Sequence, residues 1–169
     1  MEAGLYYLVR VQVKCLAGMK NLFEVATADE VKTRLGKLRT ESERLWGKMT
    51  APQMVAHCAI SMRWAVGELV PDPAPLPMRM VGKMIKPFVF RNDDPIRKNA
   101  PTAKSLVISD ERDLEQEREQ LAGLIEKFAV WGAAGCTRQK HPFFGRLAPE
   151  EWAILTYKHL DHHLRQFGV

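Results

Sequence analysis

Three of the chain's five histidines crowd one short run, His159-Leu160-Asp161-His162-His163. A neutral imidazole offers one nitrogen lone pair to a divalent cation while its other nitrogen donates a hydrogen bond. His159 and His163 stand four residues apart, the helical spacing at which two rings reach one ion. Taking about 100° per residue with Trp152 as zero, Leu155 lies near −60°, His159 near −20°, His163 near +20° and Gln166 near −40°. Both histidines therefore sit mid-stripe on the face expected to pack inward. His162 falls at the edge of that stripe, and Asp161 points to the opposite side. Burying an imidazole costs free energy unless its nitrogens find partners, so packing alone does not account for two on one apolar face. A third histidine, His57, sits mid-stripe on a separate helix between Met54 and Ile60. Together His57, His159 and His163 make the ligand set of a metal site whose fourth position is open to water or substrate. An ion held there lowers the pKa of a bound water or thiol and polarises an electrophile's oxygen. Gln166, on the same face, is the candidate catalytic or ligand-orienting group. His141, ahead of Pro142 in a loop, reads as structural.

The elements that must carry these residues are helical. Thr27 and Glu30 have the spacing of a capping box, and Val31, Leu35, Leu38, Ser42 and Leu45 follow as one helical face, closed by Trp46-Gly47. Thr50, with Gln53 three residues on and Pro52 in the first turn, opens a second helix. Its inward stripe is Met54, His57, Ile60, Ser61 and Trp64, and it ends near Gly67. Five prolines then fall between Pro71 and Pro87. Within this long connection Met78, Val81, Ile85 and Phe88 keep helical spacing and predict a short helix. Residues 91–106 read as an extended loop. A third long helix is predicted from about Ser109 to Trp131, with Leu114, Leu121, Ile125 and Phe128 inward and Glu and Arg on a solvated face. Gly132 and Gly135 end it. The last helix starts at Pro149, a residue well placed in a first turn, and reaches Gln166 or Phe167. The expected fold is all-α, a helical bundle with a Pro-rich connection.

Composition sets bounds on function. The length fits one domain with a substantial core, and 46% hydrophobic with 27% charged residues describes an ordinary globular chain. Net charge is +5, much of it from Arg79, Lys83, Lys86, Arg91, Arg97 and Lys98. Phe88 and Phe90 are the aromatic residues among these cations, short of the repeated basic-and-aromatic alternation of a nucleic-acid groove, so no nucleic-acid partner is expected. No run approaches the length of a membrane span, and no membrane partner is expected. Cys15, Cys58 and Cys136 are odd in number and lack metal-ligand spacing, which points to a reducing cytoplasm and to small apolar roles. Residues 1–18 read as an N-terminal extension upstream of a start at Met19, and residues 19–169 as the domain. An α+β alternative would use residues 5–13 as a strand.

The run His159-x-x-x-His163-x-x-Gln166, with Thr50-Ala-Pro-Gln-Met-Val-Ala-His57 upstream, resembles the DinB/YfiT-like superfamily of metal-dependent bundle proteins. The block from His141-Pro-Phe-Phe-Gly145 through Trp152 to Gly168 is similar to one branch of it, and the resemblance covers residues 19–169. It implies a four-helix bundle of DinB/YfiT type. It also implies a metal set of one histidine from the second helix and two from the last, here His57, His159 and His163, with zinc or nickel. The extra His162 departs from the common pattern and is a competing ligand. The implied activity is a thiol-dependent transfer, or a hydrolysis, on a small molecule with a low-molecular-weight thiol, in a protein that forms a homodimer. Arg63 and Arg165 would then meet the thiol's carboxylate. The rival readings are a non-catalytic metal-binding or stress-response module and a small nucleic-acid-binding protein.

Overall fold

The computed structural model describes residue 16 and residues 18–100, 102–103 and 106–169. The candidate strand at 5–13 and Cys15 lie outside the described residues. Those described are all-helical: α1 (Val25–Leu35), α2 (Ala51–Ala65), α3 (Leu76–Val89), α4 (Leu114–Trp131) and α5 (Pro149–Gln166), with a 3-10 turn over Gly132–Gly135. Helices α1, α2, α4 and α5 share one core. α4 lies against both α1 and α2, and α5 packs on the same two. Val31, Leu35, Met54, Met62, Leu121, Ile125, Phe128, Ile154 and Leu160 are fully buried at the centre.

Local chemistry accounts for most of the boundaries. Thr50 caps α2 reciprocally: its Oγ1 accepts from Gln53 N, and Gln53 Oε1 accepts from Thr50 N at 3.0 Å. α4 starts at Leu114 rather than near Ser109 and is capped by Asp113, whose carboxylate accepts from Gln116 N at 2.8 Å; Glu115 and Glu117 follow in the first turn. Pro149 opens α5 as expected, and Glu151 reaches back to the Ala148 N–H at 2.8 Å.

Two elements differ from the sequence reading. α1 stops at Leu35 rather than running to Trp46. Gly36 interrupts it, and Ser42 Oγ then takes the Arg39 N–H at 2.8 Å, a local side-chain bond that competes with further helix. Leu38 is still buried, but Leu45 is 68% exposed, so the apolar spacing outlasted the helix. Thr27 does not cap α1 either; the capping position is Glu24, whose carboxylate accepts from Thr27 Oγ1. α3 is longer than predicted and runs through Pro87. It meets α5 through polar contacts, Lys86 with Glu151 at 2.8 Å and the Val89 carbonyl with Lys158, and docks through Gly82, the one buried residue along it, against the loop around Phe143. A Cβ at Gly82 would lie 2.1 Å from Phe143 O, so only glycine allows that approach. Its apolar residues, Met84 at 72% exposure among them, face outward.

α5 is buried on nearly every side. Asp161, expected to face away from the core, is buried between Arg34 of α1 (2.8 Å) and Arg165 (2.7 Å). The helix is a central post, and each of its faces is committed to a different neighbour.

Candidate metal centre

His57 of α2 and His159 and His163 of α5 meet inside the protein. One ring nitrogen from each lies within 4.8 Å of the other two, a span that small ring rotations close onto one ion. The ring centroids are 4.9 Å apart for His57 and His159, 4.6 Å for His57 and His163, and 4.7 Å for His159 and His163. His57 is 2% exposed, His163 is buried, and His159 keeps partial exposure.

The hydrogen bonds behind the rings fix which nitrogen faces the centre. His57 Nδ1 lies 2.8 Å from the carbonyl oxygen of Leu106. A carbonyl can only accept, so Nδ1 carries the proton and Nε2 is bare. His159 Nδ1 lies 3.0 Å from Ser61 Oγ, whose own hydroxyl proton goes to Cys58 O at 2.8 Å. The hydroxyl therefore accepts from His159, and His159 Nε2 is bare as well. His163 Nδ1 lies 2.8 Å from Gln166 Oε1, while Gln166 Nε2 donates to Trp46 O at 2.7 Å. The amide is thereby oriented with its oxygen towards His163, and the third Nε2 is again left without a proton. Metal-binding histidines are typically backed in this way, with the distal N–H held by a carbonyl or another acceptor.

The consequence is electrostatic. His57 Nε2 and His159 Nε2 stand 2.9 Å apart, and neither has a proton to place between them. Two lone pairs at that separation repel unless a cation lies among them. A shared proton is a poor candidate, because burial holds all three imidazoles below the usual histidine range. His163 is pushed down to about 3, and His159 is lowered further by its histidine neighbours. A divalent ion is the cation that fits a set of neutral, converging imidazole donors.

The other candidates take different places. His162 is not brought into the cluster: its Nδ1 bonds Ile96 O at 3.1 Å and its ring lies against Trp46 and His163. Gln166 is buried with both ends of its amide engaged, its oxygen by His163 and its nitrogen by Trp46 O. Arg165 pairs with Asp161, and Arg63 donates to Gln120 Oε1, so both guanidiniums have partners within the chain. His141 organises its own turn: Nδ1 accepts from Phe143 N and Phe144 N at 3.1 Å each, and its ring packs among Trp64, Phe144 and Trp152. Cys58 is a buried core residue whose thiol is pushed far up by desolvation, and Cys136 is raised to about 11. Neither is an activated nucleophile.

Sequence reading did not assign Ser61, the Leu106 carbonyl or the Trp46 carbonyl to the site. Ser61 carried a signal, as a polar residue one helical turn beyond His57 in an otherwise apolar stripe. The two carbonyls carried none, since any residue type supplies one. Lys158 was also missed. It is 4% exposed, and its ammonium donates to the carbonyls of Val89 (2.8 Å), Asn92 (2.5 Å) and Asp94 (3.2 Å). Together with His162, one turn further along α5, it holds the segment after α3 against the helix that carries the candidate ligands.

No curated protein and no solved structure matches the chain. Residues 19–168 do match the profile of a family described as protein of unknown function (DUF1569), and the chain belongs to that family.

Proposed function

We propose that the protein is a metal-dependent enzyme of DinB/YfiT type that holds one divalent ion, zinc or nickel, on His57, His159 and His163. The proposed reaction is a thiol-dependent transfer on a small molecule. The observation that carries the metal reading is the hydrogen-bond pattern: three Nδ1–H groups are each given to an acceptor, and three bare Nε2 atoms converge. Bound there, the ion would supply Lewis acidity, favouring the anionic form of a thiol or water at neutral pH. The chain's own contribution is to fix the donors. Leu106 O, Ser61 and Gln166 hold the three rings in one tautomer. Desolvation keeps the imidazoles neutral, so protons compete weakly for the same lone pairs. The partial exposure of His159 puts solvent access on its side of the cluster. Four helices sharing one core, two of them bearing the histidines, support the DinB/YfiT comparison.

Elemental analysis of protein purified without tag or chelator tests the premise. One ion per chain is expected, lost in His57→Ala and His159→Ala variants that keep the helical circular-dichroism signal. Protein that stays metal-free after incubation with zinc and with nickel would refute the site. A screen of low-molecular-weight thiols against electrophilic acceptors then tests catalysis, with chelator-sensitive turnover expected. The deep burial of His57 and His163 favours a second reading, a non-catalytic metal-binding module. Full metal occupancy without turnover on any thiol would select it.

A further inference from the structure

Away from the histidine cluster, the segment following α3 folds back beside that helix and encloses a cleft of about 410 Å³, within the usual size of small-molecule sites. Part of the lining is apolar, Ile85, Phe88 and Val89 of α3 with Ile96 of the following segment. Phe88 is exposed along this edge, so a large aromatic surface stands in water where a ligand would cover it. The charge within the cleft is unbalanced. Lys158 lines it, and its ammonium bonds only neutral backbone carbonyls, with no carboxylate in ion-pair distance among the described residues. Arg97 also lines the cleft and makes no hydrogen bond or ion pair with any described residue. The acid present, Asp94, has its carboxylate turned to Asn92 Nδ2 at 2.6 Å. The walls are braced, because Lys158 and His162 tie residues 89–96 to α5. A ligand would meet a largely preformed surface and lose little free energy to ordering it.

We propose that this cleft binds an amphipathic carboxylate, its apolar chain along Ile85, Phe88, Val89 and Ile96 and its head group on the guanidinium of Arg97. A guanidinium presents paired N–H donors that match a carboxylate's two oxygens. Lys158, with its donors already engaged, adds positive potential without contacting the head group. None of the residues that line the cleft is a candidate metal ligand, and the proposal does not depend on an ion being bound at the histidines.

Calorimetric titration of the full chain with decanoate, decanol and acetate tests this. Saturable one-to-one binding of decanoate is expected, with decanol and acetate each weaker by at least about tenfold, since one lacks the charge and the other the chain. Arg97→Ala and Phe88→Ala should each weaken decanoate binding by about tenfold or more, with Arg97→Lys recovering part of the loss. Both side chains are on the surface, so these variants retain the fold, and unchanged circular dichroism checks it. Amide shift changes in decanoate-titrated protein should centre on residues 85–97 and 158. Absence of saturable heat with decanoate, equal affinity for decanol, or indifference to both substitutions would overturn the proposal. So would binding to phosphatidylglycerol vesicles with none to free decanoate, an outcome that would make the apolar edge a membrane-docking surface instead.

Discussion

At the scale of single residues, the candidate site is an arrangement of acceptors as much as of histidines. Each ring must present Nε2, and it does so because something behind it takes the Nδ1 proton. Gln166 is the side chain whose removal isolates that effect. Gln166→Leu leaves all three ligands in place but strips His163 of its acceptor. Loss of such a partner typically costs 10–100-fold in metal affinity, and a chelator-competition assay should find the variant weakened by about that factor. Gln166→Glu, which still offers an oxygen to His163, should bind better than the leucine variant; equal affinities would show that the amide does not position the ring. His141 gives a separate residue-scale prediction, independent of any ion. Burial holds its imidazole at about 4 in the folded chain, against 6.5 when solvated. Between those values the unfolded chain takes up a proton that the folded chain refuses, so stability falls as pH drops through this window. Urea midpoints should decline over that range, and His141→Asn, which can accept from the same two amides but does not titrate, should show a shallower decline. Parallel curves would mean that His141 is not the group responsible.

At the scale of elements, the histidine helices were legible because their signals were redundant. α2 announced itself by Thr50, Pro52, Gln53 and a continuous apolar stripe, and α5 by Pro149 and the i, i+4 pair. The all-α class and the three converging histidines followed from those. Where one signal stood alone it misled. The spacing of Leu38, Ser42 and Leu45 continues a helical period, yet Ser42 spends its hydroxyl on a turn and the chain leaves the helix at Gly36. The third long helix was expected from about Ser109, but it starts at Leu114, after Asp113, whose carboxylate meets the free N–H. The outward face of α3 was not foreseeable either, because apolar spacing does not reveal whether a neighbour exists. The segment joining α1 to α2 nonetheless shapes the site. Leu45 N bonds Gln166 O at 2.7 Å, and Trp46 O receives the Gln166 amide. Gly47, at φ +80, passes so close that a Cβ would fall 2.4 Å from Gln166 Nε2. Gly47→Ala therefore combines a left-handed backbone penalty with displacement of the amide. We expect a loss of about 1–3 kcal/mol in denaturant unfolding, together with weakened metal binding. Full stability and full affinity in that variant would show that the loop does not constrain the site.

At the scale of the whole molecule, α5 decides how distant parts of the chain are held together. Its inward histidines face α2, Asp161 binds Arg34 of α1, and Lys158 and His162 grip the segment after α3. One helix thus carries two of the three candidate metal ligands and, through Lys158, part of the lining of the cleft beside α3. The grip of Lys158 is unusual in relying on a buried ammonium bonded to three carbonyls. Burial lowers its pKa, while the nearby charges of Asp93 and Asp94 oppose that shift. Lys158→Met preserves most of the side chain's volume and removes only the donor. The carbonyls of Val89, Asn92 and Asp94 lie at the protein's edge, where water can replace the lost bonds in part, so a cost of roughly 1–3 kcal/mol is expected. The informative readout is local. Freed from α5 at one of its two ties, the segment should open more often than the core unfolds. Limited trypsin digestion should then cut faster after Arg91 and Arg97 in the variant, while α2, α4 and α5 stay protected. Cleavage at an unchanged rate would mean that the remaining ties, His162 to Ile96 O and the Lys20 N–H to Asp93, hold the segment, and that the buried ammonium serves the charge of the cleft rather than its shape.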